Sequence, residues 1–347
     1  MELSALLKQA IELGGSDIFI IPGAPVKVKA GGDLVPVGER ILPAGAEELI
    51  GQAYAYAGRE RNQLDRNGDD DFSFSIPELC RFRSNVYRQR GTLAATLRIV
   101  AFGLPNPDEL GIPKLIIDLT SHRNGMILVT GPAGSGKSTT LACMVDRINR
   151  TRSGHIVTIE DPIEYLHRHD KSLVSQREVP GDVVSFARAL RSVLRQAPDV
   201  IMLGEMRDQE TIRTAMTAAE TGHLLLSSLH TVGAAKTIDR IIDAFPAEQQ
   251  AQIRMQLSMV LQAVVSQRLV PCVNGGQVAV FEVMSVNPAI RNMIRDGRTH
   301  QIDNAIAGGD GMLSMDNELA RLVKAGTVAR ETALIYAQNP DMLSKRI

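Results

Sequence analysis

Gly131-Pro132-Ala133-Gly134-Ser135-Gly136-Lys137-Ser138, followed by Thr139, decides the reading of this chain. It matches G-x-x-x-x-G-K-[ST] and stands between an apolar run at 126–130 and a helical stretch opening at Ser138. In that context the glycines let backbone N–H groups curl around a β-phosphate, and the helix N-terminus adds a favourable dipole. Lys137 is the natural partner of β/γ oxygens and the Ser138 hydroxyl of Mg²⁺, so the segment predicts ATP bound with Mg²⁺. Working outward, short apolar runs recur at 155–159, 200–203 and 223–227, separated by longer stretches with helical character. That alternation predicts a parallel sheet covered by helices. Residues 247–269, 314–324 and 329–337 read as further helices, the first with Ile253, Leu257, Val260, Leu261, Val264 and Val265 on one face.

Upstream the pattern differs. Leu3, Leu6, Leu7, Ala10 and Ile11 follow helical spacing and stop at Gly14-Gly15, which predicts a short N-terminal helix. Residues 17–21, 26–30, 34–37, 72–76, 81–87 and 92–100 read as strands, with a tight hairpin at Gly31-Gly32-Asp33. Residues 103–113 hold three prolines and two glycines, a composition that breaks both helix and strand. The expected organisation is a mixed α/β domain at 1–102 with a mainly antiparallel sheet, a linker at 103–113, and an α/β nucleotide-binding domain at 114–347.

With 347 residues the chain is long enough for two cores, and 44% apolar with 22% charged residues excludes a disordered or fibrous chain. The 38 basic residues against 39 acidic ones leave a net charge of −1, which supplies no global attraction for nucleic acid or an anionic membrane. Aromatics at 4%, without Trp, also leave a base-stacking channel unsupported, so a RecA-like nucleic-acid motor is the weaker reading. Cys80, Cys143 and Cys272 are far apart and form no C-x-x-C pair, which speaks against disulfides and zinc and for a reducing, cytoplasmic setting. No apolar run approaches the roughly 18 residues of a membrane span. The expected location is therefore the cytoplasm, with any membrane contact made through a protein partner.

The acidic and imidazole side chains that ATP hydrolysis needs follow the apolar runs. Residues 200–203 end in Gly204-Glu205, where a P-loop NTPase places the carboxylate that holds Mg²⁺ or its water, whereas Asp199 belongs to the opposite end of the sheet. Residues 155–159 are followed by Glu160, Asp161 and Glu164, and spacing alone leaves open which of the three faces the attacking water. His230 follows the run at 223–227 and could sense a γ-phosphate, while His223 stands at its start. No Cys or carboxylate lies at ligand spacing to either histidine, so a metal role is not expected.

Taken together, these segments resemble the secretion-superfamily ATPases, and within them the PilT family, the retraction motors of type IV pili. The resemblance is carried in order by GPAGSGKST at 131–139, IVTIEDPIEYLH at 156–167, LRQAPDVIMLGEMRD at 194–208 and TGHLLLSSLHT at 221–231. It implies Glu164 as catalytic glutamate, Glu205 as Walker B glutamate acting on Mg²⁺ indirectly, His223 and His230 as the histidine-box pair, and Arg83 and Arg98 as arginines reaching the phosphates from the N-terminal domain. The implied fold is a PAS-like N-terminal domain followed by a RecA-like P-loop ATPase core with C-terminal helices, assembled as a homo-hexamer. The implied partner is an inner-membrane pilus platform protein, contacted at the inner face of the cytoplasmic membrane. AIRNMIRD at 289–296 is similar to the family's AIRNLIRE and favours the retraction branch. The cysteine count leaves no tetracysteine insert of the kind carried by assembly ATPases. An accessory retraction paralogue or a secretion ATPase is the alternative. From the residues alone, Ile290, Met293 and Ile294 form a packing stripe, with Arg291 and Arg295 free to reach outward.

Overall fold

A computed structural model describes residues 2–77, 79–100 and 103–347; residues 101 and 102, at the end of the expected N-terminal domain, lie outside the described residues. Two units emerge, dividing between Gly103 and Leu104.

The first unit begins with α1 (Leu3–Glu12), β1 (Gly15–Ile20), β2 (Pro25–Ala30) and β3 (Asp33–Arg40). It continues with α2 (Pro43–Ala57), α3 (Asn62–Asn67), β4 (Asp69–Ile76), β5 (Cys80–Gln89) and β6 (Thr92–Val100). The strands form one antiparallel sheet in the order β3-β2-β1-β6-β5-β4. Gly31 and Gly32, at φ +59° and +96°, make the two-residue turn between β2 and β3, a geometry that needs positive φ at both positions. Strand alternation turns Ile18, Phe82 and Leu97 toward α1 and α2 as a buried core. The same alternation puts Asp17, Arg83 and Arg98 on the other face, where they line a shallow cavity with Asp71, Asn85 and Thr96.

The second unit contains α4 (Lys114–Asp118), β7 (Gly125–Thr130), α5 (Lys137–Thr151), β8 (His155–Glu160), β9 (Leu173–Glu178) and α6 (Phe186–Val193). It continues with β10 (Val200–Leu203), α7 (Gln209–Glu220), β11 (Leu224–Leu229), α8 (Ala234–Asp243), α9 (Ala247–Val260), β12 (Leu261–Pro271) and β13 (Gln277–Ser285). The chain ends with α10 (Pro288–Arg295), α11 (Ile302–Gly308), α12 (Met315–Lys324), α13 (Arg330–Tyr336) and α14 (Pro340–Ser344). The sheet order is β13-β12-β7-β11-β10-β8-β9, parallel throughout except for the β12–β13 pair. Both faces are buried. Met126, Leu128, Ile201 and Leu203 pack toward α6–α9, while Ile127, Val129, Val200 and Met202 pack toward α4 and α5. Two-sided burial is why these strands read as continuous apolar runs rather than alternating ones.

One element departs from the sequence reading. The apolar stretch expected as a single helix over 247–269 is helix only to Val260, and Leu261–Pro271 is strand β12, parallel to β7. Its Ala263 and Val265 enter one core and Leu261 and Val264 the other, so two-sided burial imitates helical spacing. The paired valines, stiff at χ1, favour the extended chain. Among the described residues no helix is long and apolar enough to cross a membrane.

Candidate active site

The P-loop is built by sterics before chemistry. Gly131 has φ +147°, and a Cβ there would stand 2.2 Å from the Gln267 carbonyl oxygen and 2.6 Å from Ser135 Oγ, so only glycine fits. Gly136, at φ +87°, opens α5 and aims its first N–H groups at the loop. From β12 the buried Gln267 donates to the Ser135 carbonyl at 2.5 Å and accepts from the Thr140 hydroxyl at 2.8 Å, bracing loop and helix from the neighbouring strand. Lys137 is buried and donates to the carbonyls of Gly131 and Pro132 at 3.1 and 2.9 Å. Burial holds its pKa below the ordinary lysine value, with the charge of Glu205 opposing that shift.

A cavity of about 260 Å³ opens over this loop, and Ala133, Gly134, Lys137, Ser138, Glu164 and Glu205 line it together with His230. Glu205 follows the C-terminal end of β10 and is clamped by Arg207 at 2.5 Å and by His230 Nε2 at 3.2 Å. Hydrogen bonding and charge from Glu205 raise the pKa of Arg207 in turn. Glu164 lies on the loop after β8, and three groups hold that loop. The Glu160 carboxylate accepts the Glu164 N–H; Gln176 donates to the Tyr165 carbonyl at 2.8 Å and accepts the His167 N–H at 2.8 Å; Glu178 accepts the Ile163 N–H at 3.1 Å. Burial pushes the Glu160 carboxyl up to about 7, against hydrogen bonds from Thr158 and Gln176. The arrangement supplies a cation for phosphate, a carboxylate for water and a linked carboxylate–imidazole pair at one mouth, the set that phosphoanhydride hydrolysis uses.

The family model described as "Type II/IV secretion system protein" matches residues 86–334. The chain is 43% identical over 344 residues to the type IV pilus retraction ATPase PilT of Pseudomonas aeruginosa, covering 98% of this chain and 99% of that protein. The chain belongs to the PilT family. It is likewise 43% identical over 347 residues to the twitching motility protein of Neisseria gonorrhoeae, covering 99% and 92% of the two chains. The crystal structure of the pilus retraction motor PilT with bound ADP superposes with a TM-score of 0.90 at 45% identity, over 99% of both chains. As a member of this family the chain is an ATPase with a PilT-like α/β fold, an N-terminal domain preceding a RecA-like core.

Within this PilT-family framework the expected site residues separate by place. Lys137, Ser138, Glu164, Glu205 and His230 share the cavity, while Gly131, Pro132, Ser135 and Gly136 shape the loop beneath it. Thr139 instead shares a hydrogen bond with the Tyr165 hydroxyl at 2.9 Å, tying α5 to the Glu164 loop. His223 is not brought to this cavity. It precedes β11, at the end of the sheet away from the P-loop, where its Nδ1 meets the Ala218 carbonyl at 2.9 Å and it lines a separate cavity with Asp199. Arg83 and Arg98 stand directly opposite each other on β5 and β6, and Arg98 pairs with Asp17 at 2.9 Å. Gln267, Arg207 and Gln176 escaped the sequence reading. The one available signal was the polar Ser266-Gln267-Arg268 inside an otherwise apolar run.

Serine and carboxylate oxygens suit a hard cation such as Mg²⁺, and Ser138 and Glu205 are the candidates that would hold it beside phosphate oxygens. Among the described residues no group of three or more His, Cys, Asp or Glu forms a protein-only metal cage.

Proposed function

We propose that this ATPase works as a homo-hexameric motor in the cytoplasm, at the inner face of the cytoplasmic membrane, where it acts on an inner-membrane platform protein to retract a type IV pilus. The observation that carries the reading is the convergence of Lys137, Glu164, Glu205 and His230 on one cavity, in a chain that matches PilT relatives from end to end. In this reading Lys137 leaves the Gly131 and Pro132 carbonyls for the β/γ oxygens, and the loop N–H groups cradle the β-phosphate. Mg²⁺, held by Ser138 and through water by Glu205, would neutralise developing charge on the phosphates. Glu164 orients and deprotonates the attacking water. Glu205 holds His230, which reports the γ-phosphate to the loop that follows it. The N-terminal domain, 1–102, is joined through 103–113 to the ATPase domain, 114–347, and contributes Arg83 and Arg98 as the charges that stabilise the transition state.

The decisive experiment pairs chemistry with movement in Glu164→Gln. The amide keeps the shape and loses the basicity, so ATP binding stays while hydrolysis falls by about 10²–10⁴-fold. A strain carrying only this variant should not retract pili or twitch. Hydrolysis near the wild-type rate would remove Glu164 from the base role, and normal twitching without hydrolysis would remove the motor reading.

A further inference from the structure

The loop that follows His230 is held by side chains outside the cavity. Ser266 on β12 and Glu282 on β13 are direct cross-strand partners, both buried, with 0% and 1% exposure. Ser266 Oγ accepts the N–H of Gly233 at 2.9 Å, and Glu282 Oε1 accepts the N–H of Ala234 at 2.9 Å. Two successive N–H groups at the start of α8 are thus satisfied from the sheet rather than from the helix itself. The Thr237 hydroxyl donates to the Gly233 carbonyl at 2.8 Å and shares a second bond with Thr231 at 2.7 Å. Every residue from Thr231 to Ala234 except Val232 is therefore tied down, immediately after the histidine that touches Glu205. On its other side Glu282 bonds the side chain of Gln338, whose own N–H is accepted by Asp316 at 2.8 Å.

Packing alone does not call for an acid here. A glutamine could accept the Ala234 N–H without the desolvation of a buried charge. Burial, with Asp303 of α11 and Asp316 of α12 adding like charge, instead pushes the Glu282 carboxyl up to about 7. Lys236 of α8 offsets that acidic surrounding at Asp303, and Asp239 adds to it. What the carboxylate gains is a place at the positive end of α8, where an anion is favoured.

We infer that Glu282 is a positioning residue for His230: together with Ser266 it anchors the loop 231–234 to β12 and β13, so that the imidazole meets Glu205 in one geometry, and through Gln338 it ties that geometry to the C-terminal helices. The inference rests on the assignment of His230 to the phosphate end of the site. It makes Glu282 matter to turnover rather than to nucleotide capture, because the P-loop is braced independently by Gln267.

The test uses the full chain and steady-state ATPase kinetics on Glu282→Ala, Glu282→Gln, Ser266→Ala, His230→Ala and the double variant Glu282→Ala/His230→Ala. Glu282→Ala should lower kcat roughly ten- to a hundredfold with little change in KM, the signature of lost alignment. Ser266→Ala removes the other anchor and should give the same kcat-only pattern, so the idea stays testable if Glu282→Ala does not fold. Glu282→Gln should recover much of the rate, since its amide oxygen still accepts the Ala234 N–H. The double variant should be no slower than His230→Ala alone, because residues acting through one another are non-additive. Wild-type kcat in Glu282→Ala or in Ser266→Ala, KM rising in step with falling kcat, or additive losses in the double variant would each overturn the inference. If His230→Ala itself keeps full activity, the role given to His230 fails first. If His230→Ala is slow while Glu282→Ala is not, only the present inference fails.

Discussion

At the scale of single residues, Lys137 shows how one side chain is prepared for phosphate. It is buried, its pKa is depressed by that burial, and its ammonium is held by two loop carbonyls with the Glu205 charge as counterweight. Exchanging carbonyls for phosphate oxygens replaces neutral acceptors by charged ones, and charge-assisted hydrogen bonds are worth roughly 1.5–3 kcal/mol. Lys137→Ala should therefore weaken ATP binding by about 10–100-fold in a fluorescent-nucleotide titration, a different defect from the hydrolysis defect of Glu164→Gln. The arginines of the N-terminal sheet pose the opposite question. Arg98 is 64% exposed and its pair with Asp17 is worth little by itself, about 0–1 kcal/mol. If Arg83 and Arg98 act at the phosphates, Arg83→Ala and Arg98→Ala should each cut kcat by about 10³–10⁵-fold with unchanged melting temperature. Turnover within twofold of wild type in both would leave them as a solvated face of the sheet.

At the scale of elements, α10 separates two arginines that sequence spacing treats as equivalent. Ile290 and Ile294 are fully buried, and Arg291 donates to the carbonyls of Ser258 and Met259 at 2.6 and 2.9 Å, capping the last turn of α9. Arg291 therefore does not reach outward as the spacing suggested, whereas Arg295 is half exposed, donates to Asn292 at 2.8 Å and pairs with Asp296 at 3.5 Å. Arg291→Ala should lower stability by about 1.5–3 kcal/mol in a denaturant titration, since it removes charged hydrogen bonds to backbone carbonyls. Arg295→Ala should stay within about 0.5 kcal/mol of wild type. If α10 passes motion to a partner, pilus retraction in cells should fall with Arg295→Ala while ATPase rate and melting temperature hold. The same contrast explains what could be read in advance. The P-loop, Glu205 and His230 stand within a few residues of a strand end and so reach the cavity from positions the sequence marks, whereas spacing leaves Glu164 level with Glu160 and Asp161 and only the family resemblance singles it out. The supports were not, because they come from afar: Gln267 meets Thr140 across 127 positions, and Ser266 and Glu282 grip α8 from 33 and 48 positions away. The sequence of β12 imitates a helix because burial on both faces erases the alternation that identifies a strand.

At the scale of the whole molecule, buried acids make stability depend on pH in an unusual sense. Burial raises Glu160 and Glu282 from an ordinary carboxyl value of 4.5 to about 7 each. Between those values the folded chain holds protons that the unfolded chain has released, so stability falls as pH rises from 4.5 to 7 on account of these two groups. The favourable contribution is complete below the unfolded value and is lost as pH passes the folded one. His167 works in the other direction: burial lowers it from 6.5 to about 4, so its share of stability is lost as pH falls through that window. The net slope of the wild type mixes these opposing parts, but substitution separates them. Glu160→Gln and Glu282→Gln keep the acceptor oxygen and do not titrate, so the melting temperature of either variant, minus that of wild type, should increase from pH 5 to about pH 7 and level off by pH 8. Glu160→Gln/Glu282→Gln should show about the sum of the two increases, because the residues serve different loops and distant sites add. His167→Gln should show the reverse trend, gaining on wild type as pH falls from 6.5 toward 4. A difference curve that is flat for both glutamine variants would mean that these carboxylates titrate in the folded protein as they do in water, and that their charge is solvated rather than buried.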